Sequence, residues 1–142
     1  MDLLNALLLW IHFGALAVGG AATFGMPVVG AQMAGAAPEG RASLVKAMMV
    51  FRKMGGIALG LLILTGLALL WSRYGGTGGL SVWFWVKMVL VVGFVLLVIL
   101  GRRNAAKAIA GDRAAAARQP KFAVASGVTL LAIVLCAVLT FD

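Results

Sequence analysis

The stretch "WFWVKMVLVVGFVLLVILGRR", Trp83 to Arg103, opens on three consecutive aromatic residues and ends on two arginines. Between them the chain is apolar except for Lys87. A run of about 20 apolar residues is long enough to cross a bilayer as a helix. Three further runs have the same character: Leu3 to Val29, Met54 to Trp71 and Phe122 to Phe141. The whole chain agrees, with 63% hydrophobic and only 11% charged residues. A water-soluble domain carries roughly 25% charged residues. The chain therefore reads as one all-α domain, a four-helix membrane bundle with spans at about 3–29, 54–71, 83–100 and 122–141. The first run begins without a positive n-region and is longer than a signal-peptide core, so it reads as a retained span.

The basic residues give the direction of each span. Arg41, Lys46, Arg52 and Lys53 lie between the first and second runs. Arg102, Arg103, Lys107, Arg113, Arg118 and Lys121 lie between the third and fourth. Basic loops stay in the cytoplasm, so both termini are expected outside, in a bacterial inner membrane. Asp2 and Asp142 then stand at outer ends. Trp71, Tyr74, Trp83, Phe84 and Trp85 collect at the outer boundary as an interfacial belt. The net charge of +8 is accounted for by topology and attraction to anionic lipid, and no nucleic-acid partner is expected.

Between the spans, Pro38 to Lys53 reads as a helical extension of the second span, with Glu39 near its start. The basic, alanine-rich segment after Gly101 reads as an extension of the third, with turns near Gly111 and again at Pro120. Small residues in the first span, the Gly56/Gly60 pair and the Ala123/Gly127 pair suit close helix packing. Cys136 is the single cysteine and reads as a packing residue.

No phosphate-binding loop, dinucleotide fingerprint or cysteine–histidine zinc spacing occurs. No acid lies inside a span, so paired-carboxylate chemistry and a Ser–His–Asp arrangement in the membrane are excluded.

Two ionisable residues do lie within spans, His12 and Lys87. Such residues are costly in hydrocarbon and are functional candidates. At 1.5 Å per residue, His12 is roughly 13 Å below Leu3 and Lys87 roughly 7 Å below Val82. Asn5, His12, Gly19, Thr23 and Met26 fall near one helical face, expected to point inward. An imidazole among small residues suits an axial haem ligand. Gly19 and Thr23 would leave room for a flat haem b, and Lys87 and Arg73 would serve its propionates. With one histidine per chain, the sixth iron position falls to Met88, to a second protomer, or stays open. A homo-oligomer, a dimer being the simplest, would let two copies supply His12. The other reading of His12 is a hydrogen bond across helices, with Lys87 snorkelling to headgroups. Met26, Met33, Met48, Met49 and Met54 form a second constellation of soft donors that suits Cu(I). It keeps copper transport open, beside a non-catalytic assembly role.

The segment "HFGALAVGGAATFGMP", with His12, Phe24 and Pro27, resembles the first helix of the HemJ-type protoporphyrinogen oxidases. The third run resembles that family's third helix, with a tryptophan, then Lys87, then a basic end. The stretches "FRKMGGIALGLLILTGLALLWSRYG" and "VKMVLVVGFVLLVILGRRN" resemble the CopD-type copper-resistance membrane domain. The resemblance covers about Leu7 to Lys107 and implies a membrane oxidoreductase that handles haem or porphyrinogen. The chain departs from the HemJ pattern at Val28, where an arginine is usual, and at Trp85, near the place of a histidine.

Overall fold

Short polar and glycine-rich turns separate four long helices in the computed structural model, which describes residues 2–76 and 78–140. They are α1 (Leu3–Met33), α2 (Pro38–Tyr74), α3 (Val82–Ile109) and α4 (Arg113–Thr140). All four are long and apolar enough to cross a membrane, and the described residues contain no strand. The expected class, all-α with four membrane-spanning helices, is what the structure has. The expected positions of Phe141 and Asp142 fall outside the described residues.

The chain forms two compact units, Met1–Gly79 and Leu80–Asp142. Each is a helical hairpin: α1 pairs with α2, and α3 with α4.

In the first hairpin the turn is short because Pro38 sits at the start of α2. There its missing N–H costs nothing and its fixed φ suits the helix. Arg41 Nε donates to the Ala36 carbonyl at 3.0 Å and ties the turn to the helix start. At the far end Gly75 adopts φ 64°, in the left-handed region. The N–H groups of Gly75 and Gly76 both donate to the Leu70 carbonyl. The expected cytoplasmic extension from Pro38 is thus continuous with the second span, and α2 runs 37 residues, about 55 Å. Ser72 to Tyr74, beyond the expected span end at Trp71, are its last turn.

In the second hairpin the Ser81 hydroxyl accepts from the Phe84 N–H and caps α3. Gly111, at φ 101°, makes the expected turn. Asp112 then accepts the Ala115 N–H at 3.0 Å, a side-chain cap on α4. The second turn expected at Pro120 is absent, because α4 passes through that proline. Proline inside a helix removes one backbone hydrogen bond and crowds the preceding turn. Membrane helices tolerate it where neighbouring groups compensate, and α1 does the same at Pro27. Gly127 and Cys136 are buried in this hairpin, as expected for packing residues.

The exposed surfaces match lipid contact. Leucine, valine and isoleucine side chains cover the helices' outer faces. Trp71, at 79% exposed, and Tyr74 close the C-terminal end of α2. Trp83 and Trp85 are exposed in the first turn of α3, where Phe84 and Trp85 meet edge to face at 5.8 Å.

Candidate functional site

The seam between α1 and α2 follows a seven-residue repeat. Asn5 meets Ser72, His12 meets Thr65, Gly19 meets Ala58 and Ala22 meets Gly55, and in each pair the two numbers sum to 77. A constant sum marks an antiparallel pair in fixed register, and the seven-residue step is that of a left-handed helix pair. Ala15, Ala22, Ala58, Thr65 and Leu69 are the buried residues of this seam. Small side chains let the backbones come close. A Cβ on Gly55 would come within 3.2 Å of the Ala22 Cβ. One on Gly25 would come within 3.0 Å of the Phe51 ring, which lies over that glycine. Gly60, expected to pack in a GxxxG pair, faces open space. The close approach uses Gly55, which stands on the seam, and Gly60 lies off it.

Two layers of the seam are polar. Ser72 Oγ donates to Asn5 Oδ1 at 2.6 Å. One repeat deeper, His12 Nδ1 and Thr65 Oγ1 are 2.8 Å apart. Thr65 Oγ1 also donates to the Leu61 carbonyl at 2.6 Å. A hydroxyl has one proton to give. That proton serves Leu61, so Thr65 accepts from the imidazole. His12 Nδ1 therefore carries a proton. Gly66 lies beside the ring, where a Cβ would stand 3.4 Å from His12 Cε1.

A metal-bound histidine usually donates its other ring N–H to a fixed acceptor, which sets the tautomer and raises the ligand's basicity. His12 with Thr65 has that arrangement, so this residue fits an iron ligand. Gly14 and Gly20 have no side chain of another helix within contact distance of where a Cβ would lie.

The other expected residues divide between the hairpins. Asn5, His12 and Gly19 share the α2-facing stripe as expected. Thr23 donates to the Gly19 carbonyl at 2.8 Å, one turn back, so its hydroxyl is spent within α1. Arg73 stands over the Tyr74 ring at 5.9 Å, a cation–π contact at the C-terminal end of α2. It is about 12 Å along the helix from Thr65. Lys87 and Met88 belong to α3 of the second unit.

The methionine constellation lies at the basic end of the first hairpin. Met49 and Met54 are exposed. Consecutive residues turn about 100° around a helix, so Met48 and Met49 leave α2 in different directions. Among the described residues no group of three or more His, Cys, Asp or Glu side chains comes together.

Thr65, Gly66, Leu61 and Ser72 were not among the candidates. Each sits in an apolar or terminal context that gives no local signal. The available signal was the shared step of seven, with polar or small residues at 5, 12 and 19 and again at 58, 65 and 72.

Comparison of the chain with protein-family models, with curated proteins and with solved structures found no match in any of the three.

Proposed function

We propose that this chain binds haem b within a bacterial inner membrane, N-out and C-out, as a member of the HemJ/CopD-like group it resembles. His12 would hold its iron through Nε2. The observation that supports this reading is the chain of hydrogen bonds from His12 Nδ1 to Thr65 and on to the Leu61 carbonyl. It puts a proton on Nδ1, on the side of the ring away from Nε2. Haem bound there would supply one-electron chemistry at iron, tuned by the axial ligand and its surroundings.

The chain's own residues have distinct parts. Thr65 orients the imidazole and holds its tautomer. Gly66 flanks the ring without crowding it. Arg73 is the cation that the first hairpin offers to a propionate near the outer boundary. With no carboxylate in the spans, proton movement would pass through water or Lys87. The reaction class is electron transfer or oxidation of a porphyrinogen.

The absorption spectrum of the purified protein tests the reading. A Soret band that disappears in His12→Ala is the expected result. A band that survives that substitution removes His12 as the ligand. A colourless protein with stoichiometric copper overturns the haem reading in favour of the methionines. A colourless, metal-free protein overturns it in favour of an assembly role, with His12 and Thr65 serving only to join two helices.

A further inference from the structure

The second hairpin carries a feature that the haem reading does not use. Where the apolar part of α3 and α4 ends, a cavity of about 660 Å³ opens between them. Leu100, Arg103, Asn104, Lys107, Arg118 and Phe122 line it. On α3, Leu100, Arg103 and Lys107 are three and four residues apart and so share a face. On α4, Arg118 and Phe122 are four apart and do the same. The cavity therefore has three cations on its water side and two large apolar side chains on its membrane side.

One of the three cations is held by the fold. Asn104 is buried, at 6% exposed. Its Nδ2 donates to the Ala115 carbonyl at 2.8 Å and to Gln119 Oε1 at 2.7 Å. Its Oδ1 accepts from Arg118 Nε at 3.4 Å. Arg118 is thus fixed through Nε, and its two terminal nitrogens remain for a ligand in the cavity it lines. The segment from Gly101 to Lys121 has six basic residues and one acid, Asp112, whose carboxylate accepts the Ala115 N–H.

We propose that this cavity is a binding site for one anionic phospholipid. Its phosphate sits against Arg103, Lys107 and Arg118, and an acyl chain runs along Leu100 and Phe122. The chemistry selects this occupant. A soluble phosphate would make no use of Leu100 and Phe122, and an uncharged apolar molecule would leave three cations unmatched. Basic pockets between helices on the cytoplasmic side of membranes suit anionic headgroups. Asn104 is a positioning residue, since it acts on the lipid through Arg118.

The full chain in detergent is titrated with dioleoylphosphatidylglycerol and with dioleoylphosphatidylcholine, and bound lipids are counted by native mass spectrometry. The first phosphatidylglycerol is expected to bind at least tenfold more tightly than phosphatidylcholine. Arg103→Gln with Arg118→Gln is expected to erase that preference. Arg113→Gln with Lys121→Gln, which removes the same charge outside the cavity, is expected to keep it. Lys107→Gln changes one exposed side chain and leaves the hairpin intact, so its expected three- to fivefold loss does not depend on folding. Equal losses in the two double variants, or no change in Lys107→Gln, would show a diffuse field and overturn the site. Glycerol phosphate at millimolar concentration is expected not to displace the lipid. Full displacement would make this a soluble-anion site and overturn the proposal, as would equal affinity for the two lipids.

Discussion

His12 and Thr65 are 53 residues apart in the chain and 2.8 Å apart in space. Their bond has one polarity, because the threonine proton belongs to the Leu61 carbonyl. Thr65→Val keeps the side-chain shape and removes the acceptor. Interhelical hydrogen bonds in membranes are worth about 0.6 kcal/mol on average and up to about 1.7. The variant is therefore expected to lose about 1 kcal/mol in reversible unfolding from detergent, and Thr65→Ser to lose little. Under the haem reading Thr65→Val also shifts the Soret band or the potential, because the ligand loses its orienting partner. An unchanged spectrum in a haem-containing Thr65→Val protein would separate the bond from the cofactor.

Gly55 and Gly60 both lie on α2, yet they should respond oppositely to alanine. A methyl group at Gly55 meets Ala22 at 3.2 Å, so the helices must separate or shift. Overpacking of this kind costs about 1–3 kcal/mol. A methyl at Gly60 meets nothing, and alanine is the better helix former by about 1 kcal/mol. Unfolding measurements on Gly55→Ala and Gly60→Ala should therefore differ in sign. Equal effects would refute the seam as drawn.

Gly25 and Phe51 should show coupling. Gly25→Ala places its methyl 3.0 Å from the ring and is expected to destabilise the hairpin by about 1–3 kcal/mol. In a Phe51→Leu background the obstacle is smaller, and the alanine should cost less. A double-mutant cycle reads the difference directly; additivity would mean that the ring does not rest on this glycine.

Asn104 joins both helices of its hairpin through three hydrogen bonds. Asn104→Ala leaves Gln119 and the Ala115 carbonyl without that partner. Losing buried hydrogen-bond partners costs about 1–3 kcal/mol. The loss should appear as a lower melting temperature, with no effect on a Soret band if one is present.

The orientation can be read with single cysteines in a Cys136→Ala background. A membrane-impermeant maleimide added to intact cells should label Gly78→Cys and spare Ala110→Cys. The reverse pattern would invert the topology derived from the basic loops.

Much of this architecture was legible in the chain itself. Run length set the four helices, Pro38 marked the start of α2, and Gly111 marked the turn before α4. Pro120 misled because a proline inside a helix removes one hydrogen bond and can bend the helix without ending it. The site was legible only on one side. His12 announces itself as the single imidazole in the chain. Thr65 does not, since a threonine in an apolar run usually satisfies itself against its own helix, and Thr65 does that as well. Gly55 and Gly60 look alike in sequence, and only the partner helix distinguishes them.

The spacing of the two polar layers has a consequence for how the first hairpin finds its alignment. If α1 slid by seven residues in one direction, His12 would face Ala58, which has no acceptor side chain. In the other direction, Gly19 would face Thr65 and His12 would face Ser72. Either slip leaves one possible polar pair, Asn5 with Thr65 in the first and His12 with Ser72 in the second, where the observed register makes two. The layers at Asn5–Ser72 and His12–Thr65 therefore work as a vernier, in which apolar surface gives adhesion and two hydrogen bonds select a single notch.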